Sequence, residues 1–81
     1  MIDKIAEING YKIHSGDRIK GNFFDKALNQ ICEFSGIFLY YENRDMQLCT
    51  IPMLHYYSDQ TGKAEWVNLN HIGDLSVKLV A

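Results

Sequence analysis

Gly10-Tyr11-Lys12-Ile13-His14-Ser15-Gly16-Asp17-Arg18-Ile19-Lys20-Gly21 decides the fold reading. Ser15-Gly16 reads as a tight turn, because Gly16 can take the positive φ that such turns often need. Asp17 is a turn former, and Arg18-Ile19-Lys20 then alternates polar, apolar, polar. A turn feeding at once into a strand is how small barrels of the SH3 type often begin. Upstream, Asn9-Gly10 is a strong hairpin dipeptide, and Tyr11-Lys12-Ile13-His14 alternates briefly after it. Ile2, Ile5 and Ile8 stand three apart, a spacing that fits a short helix better than a strand. Ile5 to Ile8 could equally open a first strand.

Downstream, Phe24, Ala27, Leu28, Ile31 and Cys32 fall on one face of a helix, with Asn22 as an N-cap. The spacing therefore predicts a helix of two to three turns within 23–34, in preference to a hairpin loop. From Gly36 the chain reads as β. Ile37–Glu42 is rich in aromatic and β-branched residues. Asn43-Arg44-Asp45 reads as a polar turn, and Met46–Ile51 alternates after it. Pro52 cannot donate to a ladder and marks an edge, a bulge or a break. Met53–Tyr57 resumes the strand. Ser58–Lys63 is a hairpin loop with Gly62 suited to a left-handed position. Ala64–Leu69 returns, Asn70–Asp74 turns, and Leu75–Val80 closes with Leu75, Val77 and Leu79 on one face. The expected fold is mainly β: a small SH3-like barrel or a strongly bent antiparallel sheet with one short inserted helix. The expected core is Ile13, Ile19, Ile37, Leu39, Leu48, Trp66, Leu69, Leu75, Val77 and Leu79.

The chain has 81 residues, enough for one small domain over 1–81, and 47% of them are hydrophobic, which argues against disorder. Domains of this size often gain stability by oligomerising. The net charge of −2 implies no long-range pull toward nucleic acid or an anionic membrane. Lys4, Lys12, Arg18, Lys20 and Lys26 nearly balance Asp3, Glu7, Asp17 and Asp25, so the first third is no basic arm. Two cysteines, Cys32 and Cys49, make no secreted disulfide framework. No signal peptide opens the chain and no apolar run approaches a membrane span. The expectation is a cytoplasmic protein with free thiols and no membrane partner.

The order of signals resembles that of YopX-like phage proteins. Asn9-Gly10 through Gly16-Asp17 to Lys20-Gly21 looks like that family's opening. Ser35-Gly36-Ile37-Phe38-Leu39-Tyr40-Tyr41-Glu42 is similar to its glycine–hydrophobic–tyrosine–acidic strand, and Gly73-Asp74-Leu75-Ser76-Val77 sits where it places the last strand. Residues 22–35 have no counterpart in the pattern. The resemblance implies a prophage or mobile-element protein of β-rich fold, with no catalytic residues to carry over.

Chemistry-bearing groups are sparse. His14, Cys32, Cys49, His55 and His71 lack any metal-ligand spacing, so no metal site and no cofactor is expected. Cys49 with His55 or His71 would need a helix terminus or a neighbouring base to activate the thiol, and Cys49 lies in an expected strand. No nucleophile elbow surrounds Ser15, Ser35, Ser58 or Ser76. Glu33, Glu42, Asp45 and Asp59 fall at turns or strand ends, where solvated charges are common. No enzyme is expected. The doubled tyrosines are more informative. On a strand, Tyr40-Tyr41 and Tyr56-Tyr57 each send one ring to either face. The outward pair, with Arg18 and Lys20 nearby, is a candidate binding surface. Tyr and Trp are enriched at protein interfaces, and the acidic balance favours a protein partner or a second copy (a homo-oligomer) over nucleic acid. A single-stranded nucleic-acid binder is the alternative, since aromatics beside cations also stack bases.

Overall fold

The computed structural model describes residues 2–8 and 10–78, without the side chains of 74, 77 and 78. The strands are β1 (Ile2–Asp3), β2 (Ile5–Ile8), β3 (Tyr11–His14), β4 (Arg18–Asp25), β5 (Gln30–Asp45), β6 (Thr50–Ser58), β7 (Ala64–Asn68) and β8 (Ile72–Lys78). One 3₁₀ turn, η1 (Leu69–His71), joins β7 to β8. The main sheet runs β7-β6-β5-β4-β8, with β1 beside the far end of β5. Every pairing is antiparallel. No ladder among the described residues joins β7 to β8, so the sheet is bent and open rather than a closed barrel. No helix among the described residues is long and apolar enough to cross a membrane.

The turns follow their chemistry. Ile8 faces Tyr11 across a two-residue loop in which Gly10 has φ +82°; Asn9 lies outside the described residues. At the next turn the Asp17 amide donates to the His14 carbonyl at 3.0 Å, the His14 amide donates to the Asp17 carboxylate at 2.8 Å, and Gly16 has φ +101°. That turn is sewn to the middle of β5: Gly16 donates to the Phe38 carbonyl, and the Phe38 amide to Asp17, each at 2.8 Å. Thus the β2–β3 hairpin is folded over one face of the main sheet. Ala6 and Ile13 sit there against Ile19, Phe34, Phe38, Leu54, Tyr56, Val67 and Leu75. Phe34 packs its ring on Tyr56 at 5.1 Å and on Phe23 at 6.0 Å.

Three expectations are corrected. The segment 23–34 is not a helix. Phe24 pairs with Ile31 and Phe23 with Cys32 across a turn at 26–29. The Asp25 carboxylate accepts from the amides of Ala27 at 2.9 Å and Leu28 at 3.3 Å, and Asn29 takes φ +52°. Phe24, Leu28 and Ile31 are exposed, so a helical stripe there would have had nothing to pack on. Residues 2–8 are strands as well: Ala6 turns inward and Ile8 is half-buried, a period of two, while Ile2 and Ile5 are exposed. Finally, Asn43-Arg44-Asp45 is strand, not turn. The reversal comes at Gln47-Leu48, closed by the Met46 amide donating to the Cys49 carbonyl at 2.7 Å.

The expected core is right at Ile13, Ile19 and Leu75 and half right at Ile37, Leu39 and Leu69, which are partly covered. Leu48 is 98% exposed because it is the hairpin tip, and Trp66 is 49% exposed because it lies on the outer side of β7. The side chain of Val77 and all of Leu79 lie outside the described residues. Phe34, Phe38, Leu54 and Tyr56 take the central places instead.

Pro52 has a specific consequence. The bond closing Met46 and Cys49 makes them a hydrogen-bonded pair, and such pairs alternate along an antiparallel ladder. Pro52, opposite Asn43, therefore turns its nitrogen away from β5. It would meet β7 there, but the β6–β7 ladder ends one step earlier, at Met53 and Asn68. With no N–H to continue it, the chain leaves the sheet and winds into η1, capped by the Asn68 side chain accepting from Asn70 at 2.9 Å.

Candidate interaction face

The outer face of the main sheet follows from register. Residues directly opposite one another on antiparallel strands share a face. Arg18, Ile37, Tyr57 and Ala64 form one row across β4–β7; Tyr40, His55 and Trp66 form the next across β5–β7. Two residues further on, Glu42 faces Met53 and then Asn68. Lys20 follows Arg18 on the same side of β4. Four of the expected binding residues, Tyr40, Tyr57, Arg18 and Lys20, are thus brought onto one face. Tyr41 and Tyr56 are on the other. Tyr56 is 5% exposed and belongs to the core, which removes it from the binding surface. Burial, with the Glu65 charge adding to it, raises its phenol pKa above the ordinary 10.0. Tyr41 packs against the core and donates to Asn43 Oδ1 at 2.6 Å.

One bulge decides this arrangement. Phe38 pairs with Tyr56, but Tyr40 pairs with His55, leaving Leu39 unopposed. Strict alternation from Phe34 and Phe38 would have placed Tyr40 inside. The extra residue shifts the phase, so Tyr40, Glu42 and Arg44 point outward.

His55 is the centre of the face. Its ring stacks on Tyr40, centroids 4.2 Å apart with 19° between planes. Its Nε2 lies 2.9 Å from Glu42 Oε1, and both side chains are mostly covered. Arg44 approaches the same carboxylate at 3.3 Å. Partial desolvation pushes the Glu42 pKa up; the hydrogen bonds from His55 and Arg44, then their charges, outweigh it and hold the carboxyl below its ordinary 4.5. Around this fixed centre Tyr57 and Trp66 are each 49% exposed. Arg18 pairs with Asp59 at 2.7 Å, in the open, where such a bridge contributes little to stability. Most cations of this face are therefore already matched by a carboxylate, whereas the Tyr57 and Trp66 rings stay half-exposed.

Sequence reasoning misses His55 as a member of this face and counts Trp66 both among the available aromatics and in the core. A large apolar ring usually turns inward, but β7 is an edge strand with less to cover it, and Trp66 lies outside. Among the described residues, no three His, Cys, Asp or Glu side chains come together to hold a metal ion. His71 lies on η1 and Cys49 beside the β5–β6 tip. No protein-family model, curated protein or solved structure matches this chain.

Proposed function

We propose that this chain is a non-enzymatic interaction module that makes protein–protein contacts, with a partner or with a second copy of itself, through the outer face of its main sheet. The observation that carries this reading is the half-exposed pair Tyr57 and Trp66 flanking the stacked Tyr40–His55 centre, with Arg18 and Arg44 each paired to a carboxylate. Rigid, amphipathic rings on a stiff sheet bury area at low entropic cost. The order of elements, a meander β4–β7, a 3₁₀ turn and a last strand back beside the first, supports an SH3-type half-barrel as its architecture. The motif resemblance supports a phage or mobile-element origin, and the gene's neighbours test that origin.

Light scattering of the chain between micromolar and millimolar concentration tests the self-association arm. A concentration-dependent dimer abolished by Tyr57→Ala supports it, and a strict monomer at high concentration overturns it. An oligonucleotide titration at low salt separates the other class: steeply salt-dependent binding lost in Tyr40→Ala or Tyr57→Ala would mean single-stranded nucleic acid instead.

A further inference from the structure

We propose that the free edge of β7, with the cleft beside it, receives an extended peptide segment of a partner protein as an added strand. This is a second surface, the edge of the sheet rather than its face, and it holds whether or not the face self-associates. The Ser58 amide donates to the Lys63 carbonyl at 2.9 Å, so Ser58 and Lys63 are a hydrogen-bonded pair of the β6–β7 ladder. Alternation makes Tyr56–Glu65 and Leu54–Val67 the next such pairs. Ala64, Trp66 and Asn68 therefore direct their backbone N–H and C=O groups away from β6. No ladder among the described residues takes up those of Ala64 and Trp66, while the Asn68 carbonyl, at the N-cap of η1, serves the 3₁₀ turn and only the Asn68 amide stays outward. Unmatched N–H and C=O groups in strand spacing are complementary to one kind of ligand, another extended backbone.

Natural edge strands are blunted by proline, an inward charge or a bulge; Ala-Glu-Trp-Val-Asn has no proline and an unbroken register with β6, and its one charge, Glu65, stands opposite Tyr56 on the inner side. Beside it opens a cleft of about 340 Å³, walled on the far side by Phe23, Phe24 and Lys26 and on the near side by Trp66, Val67 and His71. That volume lies within the roughly 300–1,000 Å³ of ordinary ligand sites. The occupant is a peptide rather than a second copy on grounds of area. β7 has five residues, an edge about 17 Å long and about 10 Å deep, so it offers on the order of 200 Å² per partner against roughly 800 Å² in a stable dimer. Each side of the strand plane carries apolar residues, Phe23 and Val67 on the inner side and Phe24 and Trp66 on the outer, with Asp25 and Lys26 also in the lining. Successive side chains of an added strand alternate between those sides. The segment recognised therefore carries at least two consecutive apolar residues.

The test uses the full chain and a random linear dodecapeptide library displayed on phage. Selected peptides should share adjacent apolar residues, and as free synthetic peptides they should slow hydrogen exchange at the Trp66 and Asn68 amides at least about tenfold, the effect of one added hydrogen bond. Ala64→Pro removes one outward donor and no bond to β6, and should weaken binding about tenfold. N-methylating alternate amides of the peptide makes the same test from the ligand side should that variant not fold. Tyr57→Ala, on the face, should leave peptide binding unchanged, which separates this proposal from the self-association reading. No enrichment over the naive library overturns it. So does a peptide that protects other amides and binds Ala64→Pro as well as the parent.

Discussion

The two faces of the main sheet are built from the same kinds of residue and do opposite things. The inner face gathers Phe34, Phe38 and Tyr56 under the β2–β3 hairpin. The outer face leaves Tyr57 and Trp66 half-exposed, although Met53 on the same side is buried. Tyr56 and Tyr57 are neighbours in sequence, yet one is core and the other surface. Composition does not separate them; a covering hairpin on one side does. A face with half-exposed aromatic rings is where contacts with other molecules are to be sought.

The comparison breaks hardest at Gly36, which β6 approaches too closely for any side chain. A Cβ there would overlap the carbonyl oxygen of Tyr57, a backbone atom that cannot step aside. Gly36→Ala should cost more than about 3 kcal/mol or abolish folding, read by urea denaturation. Next comes the adjacent pair. Tyr56→Ala should destabilise by about 3–5 kcal/mol and Tyr57→Ala by less than about 1 kcal/mol, because only the first leaves a cavity. Equal losses would mean that the outer face is packed too.

Smaller still is the effect of acid on the outer face. The Glu42 carboxyl has a folded pKa below its ordinary 4.5, so the unfolded chain binds the extra proton first. Its contribution is complete above 4.5 and is lost as pH falls through the lowered folded value. Glu42→Gln should flatten the stability-versus-pH curve over that acidic window and leave the inner face's contribution untouched. Smallest is Leu48→Ser at the 98% exposed hairpin tip, which should stay within about 0.5 kcal/mol of the parent by thermal melting.

The β class and most turns could be read from the chain. Gly10, Gly16 and Gly62 all adopt positive φ where the sequence placed turns, since left-handed backbone is a local steric matter. Pro52 marked an edge for an equally local reason. That each tyrosine doublet splits across the sheet followed from alternation alone, but which ring goes out did not. For Tyr40 and Tyr41 it depends on the bulge at Leu39, which exists only once β5 and β6 are paired.

The error at 23–34 has the same root. Phe24, Leu28 and Ile31 have helical spacing, and a helix would have used it had a surface been there to receive it. Pairing with β5 and the Asp25-capped turn prevailed instead. By itself, then, the sequence determined the backbone reversals, the β-rich class and a two-sided division of the aromatics, because φ limits and the strand's period of two act between near neighbours. Only the tertiary structure decided which side the hairpin covers, where β7 ends, and that Tyr40, His55, Tyr57 and Trp66 share one face. Those depend on contacts between strands far apart in the chain.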